Sequence, residues 1–167
     1  MKAIIRCGLF FVLLVPCAAI PALADSVKGQ FMVEGKAPMK PLEVAAFHVA
    51  DKGTMVMLTL KPLNREAIAK SSNPESAANN DKAVDDADYI ELIVGPDGQV
   101  SINAHVGGPH GQYLDSTKMD LIANCGTNTP EHVTCDVKTK KLVKFMDDPG
   151  WTFEVTFDAA VTAHKAS

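Results

Sequence analysis

The chain has 167 residues, 47% of them hydrophobic and 22% charged, with 16 Lys and Arg against 20 Asp and Glu for a formal net charge of −4. That length and apolar content suit a single domain with a sizeable core. The negative balance argues against nucleic acid or anionic lipid as a partner, because both require a cationic surface that releases counterions.

Residues 1–24 carry Lys2 and Arg6, an apolar run through Val15, and a closing Ala22-Leu23-Ala24. A basic start, a short apolar run and small residues at the peptidase positions predict a secretory signal peptide cleaved after Ala24. The run is well short of the roughly 20 residues a spanning helix needs, and Pro16 and Pro21 interrupt its end. A lipid anchor on Cys17 fits poorly because Pro16 directly precedes it. The expected product is a periplasmic domain over 25–167, with no membrane association after cleavage. Its 14 basic residues (16 less Lys2 and Arg6) against 20 acidic ones give a net charge of −6.

The first segment of the mature chain, KGQFMVEGK, reads as a strand ending in a glycine turn. PLEVAAFHVADKGTMVMLTLK follows as a strand pair turned at Asp51-Lys52-Gly53. Pairing Ala50 with Thr54 puts Phe47 and Val49 on the face of Met55 and Met57, and His48 with Val56. Both faces are then largely apolar, as in a strand pair covered on both sides. LNREAIAK predicts the one short helix, with Asn64 as its N-cap. The polar stretch around 71–87 has little to bury and reads as a flexible surface connection.

YIELIVGPDGQVSINAHV is a second hairpin, turned by Pro96 and Gly98. Val100, Ile102, Ala104 and Val106 share its inner face, which sends Ser101, Asn103 and His105 to the wetter side. HVGGPHGQYLD, from His105 to Asp115, then concentrates two histidines, three glycines, a tyrosine and an acid. Beyond it, Met119, Leu121, Ala123 and Cys125 alternate with polar residues, as do Val133, Cys135 and Val137. With Cys7 and Cys17 lost to the signal peptide, Cys125 and Cys135 form an even pair in an oxidising compartment, which predicts a disulfide between neighbouring strands. The alternative of a redox-active pair lacks a cationic or helical environment to stabilise a thiolate. Finally WTFEVTF alternates strictly, with DDPG and the preceding Val143 and Phe145 suggesting a closing hairpin.

Many short strands, turn signals between them and one helix predict an all-β fold. The expected architecture is an antiparallel β-sandwich of about eight strands with one short helix and one disulfide; a closed barrel is the alternative.

The order GQFMVEGK, TMVMLTLKPLNREAIAK, YIELIVGPDGQV and WTFEVTFDAAV resembles a group of small exported β-sandwich proteins of Gram-negative bacteria whose function is unknown. Gly35-Lys36, Pro62-Leu63 and Trp151 to Phe157 carry the likeness. It implies export and a sandwich, and transfers no catalytic residue. The cysteine pair and the GGPHG loop stand outside the shared pattern.

No GxSxG elbow, HExxH, phosphate loop or nucleotide fingerprint is present, so no catalytic residue is assigned and no cofactor is expected. The leading expectation is a soluble binding or inhibitory module that contacts a protein or envelope component through loops at one end. His105, His110 and Tyr113 are its candidate contacts, with Tyr113 as aromatic anchor. The alternative is copper or zinc handling through His105 and His110, with Asp115 and the methionines as further donors. Against it, the intervening glycines leave the two imidazoles on no common rigid element.

Overall fold

In a computed structural model of the protein, residues 25–85, 87–107, 112–115, 121–144 and 146–163 are described, positions 112 and 115 by backbone alone. The predicted signal peptide lies outside them. The chain is mostly β: β1 (Ser26–Val33), β2 (Glu43–Val49), β3 (Gly53–Thr59), helices α1 (Arg65–Lys70) and α2 (Pro74–Asn79), then β4 (Tyr89–Val94), β5 (Val100–His105), β6 (Gln112–Asp115), β7 (Leu121–Asn128), β8 (His132–Thr139) and β9 (Trp151–Thr162).

The strands form one sheet in the order β6-β5-β4-β3-β2-β9-β8-β7, with β1 also on β9. This is a correction to the expected two-sheet sandwich: the sheet curls into a nearly closed, barrel-like shape. The cause is β9, twelve residues long. Its first part pairs antiparallel with β1 from Trp151 to Asp158, while Val161 and Thr162 run parallel to Ala46 and Phe47 of β2. One strand thus joins both halves. The ends of the sheet, β6 and β7, are not paired with each other among the described residues. From the end of β7, Asn128 reaches β3 and the β4–β5 turn: it accepts from Thr54 Oγ1 at 3.1 Å and donates to the Gly95 carbonyl at 2.8 Å.

Alternation explains the core. Along β9 the buried side chains are Trp151, Phe153, Val155, Phe157, Ala159 and Val161. They meet Val44, Ala46, Val56, Leu58, Ile90, Leu92, Ile102 and Ala104 from the other half. Each large apolar side chain removed from water contributes about 1.5–3 kcal/mol. In β1, Gly29 has φ 121°, and a Cβ there would collide with the Glu154 carbonyl of β9.

β2 and β3 are buried on both faces as expected. The expected pairing of Ala50 with Thr54 is corrected by two residues: His48 lies opposite Thr54 and Phe47 opposite Met55, and because the shift is even each side chain keeps its predicted face. Ala45, Phe47, Met55 and Met57 point outward and are covered by Leu63, Ile68, Ala78, Ala83 and Val84. The methionines are therefore core filling.

Two helices stand where one was expected. Asn64 caps α1 by accepting from the Ala67 N–H, and Asn73 caps α2 by accepting from Ser76, with Pro74 in the first turn. The polar stretch 71–87 thus holds a capped helix whose Ala78, followed by Ala83 and Val84, packs on the sheet. Arg65 anchors α1: its guanidinium donates to Glu43, Asp25 and the Val44 carbonyl. Asp25 also accepts from Ala160 of β9 at 2.8 Å.

The expected hairpin before β9 is reduced to a single antiparallel bridge, Val143 and Trp151 exchanging both backbone hydrogen bonds at 2.9 Å. It goes no further because β8 takes that edge of β9 from Glu154 onward. Phe145 lies outside the described residues. Cys125 and Cys135 are disulfide-bonded and directly opposite each other on β7 and β8.

Candidate functional site

α1 and α2 cover the outer faces of β2, β3 and the start of β4, and they stop there. On β4 and β5 the outward positions are Tyr89, Glu91 and Ile93, then Ser101, Asn103 and His105; on β6 the outward position is Tyr113. Register brings them into rows: Tyr89 faces His105, Glu91 faces Asn103, and Asn103 faces Tyr113. Two residues separated in the sequence, His105 and Tyr113, therefore share one surface, beside α2.

His105 stacks on Tyr89, ring centroids 4.6 Å apart and planes within 7°. Burial among these neighbours pushes the His105 imidazole below its ordinary value of 6.5, which favours the neutral ring. The Tyr89 hydroxyl donates to Asn79 Oδ1 at 3.3 Å, and Asn79 Nδ2 donates to Glu91 Oε2 at 2.5 Å. α2 is thereby tied to the sheet through a carboxylate only 4% exposed. Burial raises the Glu91 carboxyl, as does nearby Glu75, while the Asn79 hydrogen bond and Lys52 pull the other way.

Tyr113 is 62% exposed. By contrast, no side-chain hydrogen bond is made by Ser101, Asn103 or His105 among the described residues. The surface is therefore a half-buried polar row with an aromatic ring at its rim. Its floor is fixed by Tyr89, Asn79 and Glu91. At the end of β5, the Gly107 N–H donates to Asp88 at 2.9 Å, and Asp88 meets Lys36 at 3.3 Å. This anchors the start of the glycine-rich loop.

His110 lies outside the described residues, so its relation to His105 is not part of this geometry. Among the described residues no three His, Cys, Asp or Glu side chains converge in a metal-binding arrangement. His48 is exposed, and His132 sits on the other half of the sheet, 2.6 Å from Asp158. The disulfide also belongs to that half. A depression of about 280 Å³ on β7–β9 is lined by Asn124, Asp136, Lys138, Glu154 and Thr156. Its polar groups largely satisfy one another, Thr156 bonding Asp136 at 2.5 Å and Lys138 meeting Glu154 at 3.6 Å.

Sequence reasoning singled out His105 and Tyr113 and missed Asn79, Tyr89, Glu91 and Asn103. Glu91 carried a signal: a lone charge in the middle of an otherwise apolar strand has either a wet face or a buried partner. Asn79 carried none, since its role depends on where α2 docks.

No family model, curated protein or solved structure matches this chain. The geometry and the residues themselves carry the functional argument.

Proposed function

We propose that the protein is an exported binding or inhibitory module of the periplasm, which contacts a protein or envelope component through the outer face of β4–β6 and the adjoining loop. The observation that carries this reading is the pairing of an exposed Tyr113 with Asn103, beside His105, on a hydrogen-bonded sheet. An aromatic ring presented at low conformational cost next to unused hydrogen-bonding groups is the composition of a recognition surface. The sheet supplies rigidity, and α2 holds the floor through Asn79 and Glu91. The signal-peptide pattern of residues 1–24 and the resemblance to exported proteins support the location.

The test is co-purification from envelope extract with tagged protein. Tyr113→Ala and His105→Ala are expected to release a component that wild type and Thr156→Ala retain. Retention of the same components by all four proteins contradicts the assignment.

A further inference from the structure

We propose that α2 is a pH-operated latch: it lies closed on the sheet while the Glu91 carboxyl is protonated and is released when that carboxyl ionises. The latch does not depend on the recognition surface proposed above.

Three observations carry it. α2 is six residues long, about half the length at which a helix begins to hold itself in water. Its buried side chains are Pro74 and Ala78, which remove little apolar surface from water. Its docking therefore leans on polar anchors. Those anchors meet at its last residue, Asn79, which accepts from the Tyr89 hydroxyl at 3.3 Å and donates to Glu91 Oε2 at 2.5 Å. The third observation is the burial of Glu91, which is 4% exposed, with no donor to Oε1 among the described residues. A neutral carboxyl is stable in that place. A carboxylate there keeps one hydrogen bond and loses its water.

The surrounding charges do not compensate. Glu75 of α2 opposes the carboxylate, and Lys52 of the β2–β3 turn, which favours it, is exposed and bound to Glu75 at 2.5 Å. Opposite Glu91 stand Met57 on β3 and Asn103 on β5, neither of them ionisable. Asp81, just past α2, is engaged by the Asn64 and Ala83 N–H groups. The charges of α1 are taken up elsewhere, Arg65 by Asp25 and Glu43, and Lys70 by Glu66. On the strand of Glu91, burial pushes the Tyr89 hydroxyl up, so it stays neutral, and burial pushes its stacked partner His105 down. Burial likewise raises the Glu91 carboxyl above its ordinary 4.5. Once it ionises, water is readmitted at least cost by moving α2, because every other neighbour of Glu91 belongs to the sheet ladder.

The experiment measures amide exchange of the full chain at pH 5 and pH 8, corrected for the intrinsic pH dependence of exchange. Ala77 and Asn80, whose N–H groups bond within α2, report the latch; Val155 and Phe157 of β9 report the whole fold. Protection at Ala77 and Asn80 should fall about tenfold or more between pH 5 and pH 8 while β9 is unchanged. Glu91→Gln, which keeps the acceptor for Asn79, should hold its pH 5 protection at pH 8. Asn79→Ala should lose it at both. Equal protection at the two pH values in the wild type, no protection at either, or parallel loss in α2 and β9 overturns the latch, whatever the variants do. A fall in Glu91→Gln as large as in the wild type also overturns it.

Discussion

Glu91 and His105 sit two strand positions apart on neighbouring strands, and burial moves their protonation in directions that both favour the neutral side chain. The consequences for stability have opposite signs. Glu91 binds its proton more tightly folded than unfolded. Its contribution is therefore fully present below the ordinary carboxylate value of 4.5 and is lost as pH rises through the raised value. His105 binds its proton less tightly when folded, so its contribution is present above 6.5 and is lost as pH falls through the lowered value. Glu91→Gln keeps an acceptor for Asn79 and removes the buried charge. It should raise Tm at pH 7 and leave it nearly unchanged at pH 4, measured by thermal unfolding at both. His105→Gln should flatten the decline in Tm between pH 7 and pH 5. At Gly29 the positive φ and the Glu154 carbonyl leave no room for a methyl group. Gly29→Ala is expected to cost about 2 kcal/mol or more in urea unfolding.

Local patterns were legible in the sequence where each element carries its own instructions. The β4–β5 hairpin has a Pro-Asp-Gly turn, and Gly98 takes φ 79° there. α1 has its Asn64 cap, and β9 has unbroken alternation. α2 was not legible, because six residues rich in Ser, Ala and Asn show no apolar stripe. Its helix depends on the Asn73 cap and on Ala78 packing against the sheet. The same limit hid half the site: His105 and Tyr113 announce themselves by residue type, while Asn79 meets Glu91 only after α2 docks. Nor did alternation reveal the curl of the sheet, since pairing of β9 with β1 joins residues more than a hundred positions apart. At this scale the contact of β7 with β3 and the β4–β5 turn offers a clean test. Asn128 satisfies Thr54, which is 3% exposed, and holds the end of β7 to the β4–β5 turn. Asn128→Ala leaves a buried hydroxyl without its partner and should cost about 1–3 kcal/mol, with faster amide exchange in β7 than in β9.

For the molecule as a whole, one half of the curled sheet is tied by the disulfide and the other is backed by two helices. Replacing both Cys125 and Cys135 with Ala opens a loop of sequence separation 10 and should destabilise the fold by roughly 2–4 kcal/mol. The β4–β6 face, at the other end of the strand order, should keep its envelope partner in the variant wherever it remains folded. This division gives the two outer surfaces different characters. That of β7–β9 is polar and largely self-paired. That of β4–β6 holds polar groups in reserve beside an exposed ring. Photo-crosslinking in intact cells compares them most directly, with a benzoyl-phenylalanine placed at position 113 or at position 156. Adducts formed from position 113 and absent from position 156 are the predicted result. Adducts of equal yield from both, or from position 156 alone, would contradict the assignment of the β4–β6 face as the surface through which this protein acts.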